Sequence, residues 1–271
     1  MTGRVIVKQG FVMSNDAVKI ERAGSHVLLV RINRPEKRNA VNGAVASGID
    51  NAVSMSENDA SIRAVILAST GHQSFCAGAD LSEVVAGRHA ELSTTNGGFA
   101  GLVSAKRVKP WIAAVDAPAL GGGLELCLAC DFIVASSRAQ FGLPEVKRGL
   151  IAGAGGVFRI ARRIPLSIAY EMLATGDPIN VERAFSLGLV NRVVAEGTSE
   201  AVALEFAAKI AENAPLSVQL SMDVARQAQD FSESKLFEKL HDAVSVIMAT
   251  EDKIEGTRAF VEKRRPNWSG R

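Results

Sequence analysis

Residues 119–131 read ALGGGLELCLACD, three consecutive glycines running into an apolar segment in which one acid, Glu125, sits among leucines. Glycine inside a regular element costs backbone entropy, and a carboxylate enclosed by apolar side chains costs free energy unless it is paired or put to use. A glycine run at a helix start lets a ligand approach the backbone closely and bares N–H groups at the positive end of the helix dipole. Such groups suit an anion, or a carbonyl oxygen becoming one. Gly122 and Glu125 are three residues apart, so a helix puts them on one face. An oxyanion donor and a carboxylate would then address one small volume. A tight strand-to-helix turn with Glu125 in a salt bridge reads the same residues equally well. Dinucleotide and P-loop readings fail. GGGLEL and GAGGVF (153–158) carry Leu126 and Phe158 where GxGxxG ends in glycine, and neither runs on into Gly-Lys-Ser/Thr.

Outward from this segment, HVLLVRIN (26–33), RAVILAST (63–70), WIAAVDA (111–117), DFIVAS (131–136) and LVNRVV (189–194) have the short, β-branched apolar character of buried strands. A helical stretch over 42–57 separates the first two. Alternating strands and helices predict an α/β layered fold. From residue 198 the pattern becomes long amphipathic helices: SEAVALEFAAKIAENA, PLSVQLSMDVARQAQ with Pro215 in its first turn, and SESKLFEKLHDAVSVIMATEDK. The tail EDKIEGTRAFVEKRRP predicts one more helix, stopped by Pro266. A core over 1–197 followed by a helical region over 198–271 is the expected division.

Two further segments carry possible chemistry. FCAGADL (75–81) is a small-residue turn after a strand; it could present the Ala79 N–H, and a plain turn with Asp80 as helix N-cap explains it as well. FGLPEVKRGL (141–150) sets Glu145 after Pro144 in an apolar context, which also fits an acid in the first turn of a helix. Local spacing cannot join Glu145 to Glu125. Cys127 and Cys130 form a lone CxxC without a second pair, and the four histidines are scattered, so buried helix residues are the favoured reading.

Taken together and in order, RINRPEKRNAV (31–41), FCAGADL, ALGGGLELCLACD, AQFGLPEVKRGLIAGAGGVFRI (139–160), GLVNRVV (188–194) and EGTRAFVEKRRPNW (255–268) resemble the enoyl-CoA hydratase (crotonase) family. The resemblance implies an α/β spiral of ββα turns with a C-terminal helical trimerisation region, assembled as a homotrimer or a dimer of trimers. It implies an acyl-CoA thioester substrate, with coenzyme A part of that substrate and no separate cofactor or metal. It maps two oxyanion donors onto Ala79 and Gly122 and two catalytic acids onto Glu125 and Glu145, with water given chiefly to Glu125 and the C2 proton to Glu145. Contacts to coenzyme A map onto Arg34, Lys37, Ala77, Asp80, Phe260 and Lys263, the last two in some members from a neighbouring subunit; a solvated basic surface is an equal reading of Lys37 and Lys263. GGFAGL (97–102) and the tail are similar to the carnitinyl-CoA dehydratase branch, whose trimethylammonium substrate would want aromatic walls or an acid; Phe99 and Trp111 are the aromatics nearby in sequence, with core the favoured reading of Trp111. Asp116–Ala117 replaces the usual Asn-Gly, and LIAGAGG lacks a frequent proline; both departures are expected around the site.

Composition limits the alternatives. The 271 residues carry a net charge of +2, which gives no general case for nucleic acid or anionic membrane. Apolar residues make up 47% and support a large core. The opening residues MTGRVIVKQGFVMSNDAVKI show no signal-peptide pattern, and no apolar run approaches the ~20 residues of a membrane span. Three cysteines argue against a disulfide framework and for a reducing, cytoplasmic compartment.

Overall fold

The computed structural model describes residues 16–271, so most of the N-terminal stretch read for a signal peptide lies outside the described residues. Strands β1 (Val18–Ala23), β2 (Val27–Ile32), β3 (Ala64–Ser69), β4 (Ser93–Thr94), β5 (Gly98–Phe99), β6 (Trp111–Val115), β7 (Ala119–Leu120), β8 (Phe132–Ser136), β9 (Gln140–Gly142), β10 (Ile179–Asn180) and β11 (Arg192–Val194) form three sheets. The main sheet has the order β1-β2-β3-β6-β8-β11, antiparallel between β1 and β2 and parallel thereafter. The helices are α1 (Gly43–Asn58), α2 (Leu81–Val85), α3 (Gly122–Ala129), α4 (Gly156–Arg163), α5 (Leu166–Thr175), α6 (Val181–Ser186), α7 (Ser199–Ala211), α8 (Pro215–Arg226), α9 (Glu233–Met248) and α10 (Glu251–Val261).

The central strands read as continuous apolar runs because both sheet faces are covered. Leu28, Val30, Val65, Leu67, Ala113 and Ile133 point into one core, while Val27, Leu29, Ile66, Ile112 and Val134 alternate into another that Ala203 and Ala207 of α7 close. Trp111 is fully buried in the first core, so it is no wall for a ligand.

Short second strands stack beside the main sheet and give each turn of the spiral its ββα form. Val41 bridges Ala79, Cys76 bridges Ala119, and β7 pairs with β9, all in parallel. This stacking carries the site, because it brings the chain at Ala79 against the chain at Gly122. The contact needs glycine. A Cβ on Gly123 would lie 2.0 Å from the Cys76 carbonyl oxygen, and one on Gly78, at φ +91°, would lie 2.9 Å from the Gly122 nitrogen.

Three expectations need correction. LVNRVV is a strand only over its last three residues, since Leu189 and Val190 are buried in the turn that leads into it. The stretch ending in EDK is two helices: Thr250 caps α10 by accepting from the Lys253 N–H, so EDK begins the next element. That helix ends at Val261, before Pro266, and the chain turns at Lys263 with φ 54°. The tail then folds back onto its own chain. The Trp268 indole donates to the Glu212 carbonyl at 2.7 Å, and buried Asp252 accepts from the Ser269 and Gly270 N–H groups.

Candidate active site

Helix α3 begins at Gly122, and all eight of its residues are buried. Its apolar side chains pack all round, which is why the segment has no polar face. Cys127 and Cys130 sit in that packing as free thiols, and burial pushes Cys130 up to about 12. Glu125 is the one charged member, and it makes no salt bridge among the described residues. Its Oε1 accepts the Gly156 N–H at 2.8 Å, from the first turn of α4. A Cβ at Gly156 would fall 2.9 Å from that oxygen, so glycine is what admits the carboxyl. The acid is 3% exposed. Its pKa is raised to about 7, first by desolvation and further by the nearby Glu145, with the Gly156 N–H and Arg159 opposing.

Glu145 enters from a separate turn, in the 3-10 helix Pro144–Arg148 that follows β9. Half-buried, it also has a pKa raised by desolvation, against its own backbone N–H and Arg148. Its Oε2 is buried and has no hydrogen-bond partner among the described residues. A Cβ placed on Gly121 would lie 3.1 Å from its Oε1, so the carboxyl hangs over the glycine run.

The two glutamates, Ala77, Ala79, Gly121 and Gly122 line one cavity of about 350 Å³. The Ala79 N–H and the Gly122 N–H have no acceptor among the described residues, whereas their neighbours are engaged: Asp80 N–H donates to Val41 O and Gly121 N–H to Gly142 O, both at 2.9 Å. The fold thus supplies what spacing could not, two unpaired donors and two carboxyls of raised pKa lining one cavity.

The residues expected to hold coenzyme A divide. Ala77 lines the cavity mouth. Asp80 caps α2, accepting from the Ser82 N–H at 3.1 Å, and pairs with Arg34 at 3.0 Å; Arg34 also donates to the Ala40 carbonyl. Both are thereby occupied in holding the turn. Lys37 is exposed outside the cavity, and Phe260, 85% exposed, and Lys263 do not line it in this chain. Arg38, in the basic loop expected to meet the nucleotide end, flanks the mouth; sequence reasoning passed over Arg148 beside it and Gly156, whose N–H fixes Glu125. A second glycine group just after Glu145 was the available signal for Gly156. Of the two departures, the Asp116 side chain turns away from the cavity and accepts from Gly197 and Ser199 N–H groups at the start of α7. The LIAGAGG segment does border the site, through Ile151, Gly153 and Ala154.

Sequence and structure comparisons place this spiral and cavity in a family. Residues 22–271 match the enoyl-CoA hydratase/isomerase family model, and the chain belongs to that family. A carnitinyl-CoA dehydratase of Proteus mirabilis (strain HI4320) is 36% identical over 90% of this chain and 95% of its own. A short-chain-enoyl-CoA hydratase of Clostridium acetobutylicum is 37% identical over 93% and 97%. The crystal structure of an enoyl-CoA hydratase from Mycobacterium tuberculosis H37Rv superposes with a TM-score of 0.91 at 39% identity, covering 95% of this chain and all of that one.

Proposed function

We propose that the protein adds water across the 2,3-double bond of an enoyl-CoA thioester, or catalyses the reverse dehydration. The observation that carries this reading is the pairing of two unsatisfied backbone donors with two carboxyls of raised pKa in one cavity. The thioester carbonyl accepts from Ala79 and Gly122. As water adds at C3, negative charge grows on that oxygen, and each preorganised donor contributes about 3–4 kcal/mol to the transition state. Glu125, fixed through Oε1, keeps its other oxygen for the water. Glu145, with its buried unpartnered Oε2, handles the proton at C2.

Two carboxyls this close disfavour joint ionisation, so the pair holds one proton near neutrality and titrates as a unit. The active state has one acid and one base. Above the pair's upper ionisation the shared proton, and with it the acid, is lost; below the lower one, the base is lost. Coenzyme A lies across the mouth, with Lys37, Arg38 and Arg148 available to its phosphates and Phe260 and Lys263 supplied by a neighbouring subunit. With three free, buried cysteines and among the described residues no helix long and apolar enough to cross a membrane, a reducing cytoplasmic setting is the reading favoured.

The test is loss of enoyl absorbance across a panel of trans-2-enoyl-CoAs, crotonobetainyl-CoA included, in oxygen-labelled water. Label enters product if the reaction is hydration and not if it is double-bond migration. Glu125→Gln and Glu145→Gln should each lower kcat by at least ~10²-fold, and the double variant by much less than the product of the two. Full activity in Glu145→Gln alone would overturn the two-acid mechanism.

A further inference from the structure

The catalytic cavity does not end at the carboxyls. A second cavity, also about 350 Å³, adjoins it and is lined by Ser93, Ser104, Phe158 and Arg159. Phe99, Gly153 and Ala154 line both. Gly153 and Ala154 are small, so the ring of Phe99 is the only bulky group on the shared wall. Its placement against the reaction centre is close: a Cβ on Gly122 would sit 2.6 Å from Phe99 Cε1.

The ring is held there by a stiff loop. β4 and β5 pair as a hairpin in which Ser93 opposes Phe99. Gly98, Ala100 and Gly101 all lie in the left-handed region, at φ 64°, 53° and 70°. Alanine adopts that conformation at a cost of about 1 kcal/mol or more, so the surrounding contacts must enforce it. They do: Ala100 N–H donates to Leu92 O at 2.8 Å, and a Cβ on Gly101 would meet the Ala46 carbonyl of α1 at 2.3 Å. The backbone cannot carry Phe99 aside, and only rotation or truncation of the side chain opens the passage.

We infer that Phe99 is a partition that sets acyl-chain length. Resting on the hydratase reading above, it confines the natural substrate to a short enoyl group in the first chamber while the ring stands across the passage, and removing the ring opens the second chamber to a longer chain. The shared wall adjoins Glu125 and Gly122, so a chain growing past C4 meets Phe99 first.

The experiment measures kcat/KM for butenoyl-, hexenoyl-, octenoyl- and decenoyl-CoA in wild type, Phe99→Ala, Phe99→Leu and Phe99→Ala with Ser104→Phe. Wild type should fall steeply beyond the short chains. The decenoyl-to-butenoyl ratio should rise at least ~10-fold in Phe99→Ala, a margin one or two accommodated methylenes can supply, and less in Phe99→Leu. Ser104 is exposed, and filling its side of the second chamber in the double variant should return the ratio toward wild type. An unchanged ratio in both single variants overturns the partition, whatever their absolute rates. Should wild type hydrate no enoyl-CoA of any length, the hydratase reading fails instead. The relative affinity of saturated decanoyl- and butanoyl-CoA, by calorimetry, then decides the role of Phe99 independently.

Discussion

Ionising Glu125 places a charge on a side chain that is 3% exposed, where the backbone N–H groups of Gly156 and Ala154 do not offset desolvation, and its pKa rises from the usual 4.5 to about 7. This has a consequence for stability that is separate from catalysis. Between those values the folded chain binds a proton that the unfolded chain has released, so this group's contribution is fully present below about 4.5 and is lost as pH rises through about 7. Glutamine keeps the Gly156 hydrogen bond through its carbonyl and does not titrate. Glu125→Gln should therefore melt close to wild type at pH ~4.5 and above it at pH ~8, by on the order of 1–3 kcal/mol. Thermal melts across that range would read the effect. A difference that does not change with pH would show that desolvation does not govern this carboxyl. The residue that the sequence marked as costly is, on this argument, one whose placement the fold disfavours and the chemistry requires.

Helix α3 shows how little tolerance the glycine run has, and that the three glycines differ. A Cβ at Gly123 meets a backbone oxygen, Cys76 O, at 2.0 Å, and that carbonyl is fixed because it accepts the Leu120 N–H. A Cβ at Gly122 meets instead the edge of the Phe99 ring at 2.6 Å, which can rotate. Gly123→Ala should cost about 3 kcal/mol or more, and Gly122→Ala about 1 kcal/mol. Differential scanning fluorimetry should give a drop in Tm for Gly123→Ala at least twice that for Gly122→Ala, and equal drops would refute the distinction. At this scale, what was legible in the sequence depended on what each element packs against. β2, β3 and β6 are buried on both faces, so they read as apolar runs without any partner being known. β1 (VKIERA) did not stand out, because an edge strand of alternating character is indistinguishable from loop until β2 is placed beside it. The two- and three-residue strands β7, β9 and β10 are too short for any periodicity, yet they stack the turns that carry Ala79, Gly122 and Glu145. Glu125 and Gly122 were readable as one face of one helix. Glu145 reached them only through the spiral, and Gly156 only through the fold of α4 onto α3.

Helix α9 has sixteen residues, and none of them is buried. A helix of that length is marginal alone in water and normally draws its stability from packing an apolar stripe. α9 has such a stripe: Phe237, Leu240, Val244 and Met248 recur at helical spacing and are 40% to 58% exposed. Leu220 of α8 and Ile247 complete an open apolar groove beside it, while α8 buries only Pro215. Phe260 and Val261, 85% and 78% exposed, extend the apolar surface along α10. Apolar area of this extent on a lone chain marks an interface. The proposal that follows is a homotrimer or dimer of trimers built on these helices, which would also bring Phe260 and Lys263 to a neighbour's site. Light scattering should find at least a trimer at micromolar concentration. Val244→Asp puts a charge in the middle of the stripe and should shift the population toward monomer. Because α9 lacks internal burial, the same change should lower Tm most at low protein concentration, where assembly no longer supports the helix. A wild-type monomer with an unchanged Tm over a hundredfold dilution would reject assembly through α9, and the cause of its stability would then have to lie within the chain.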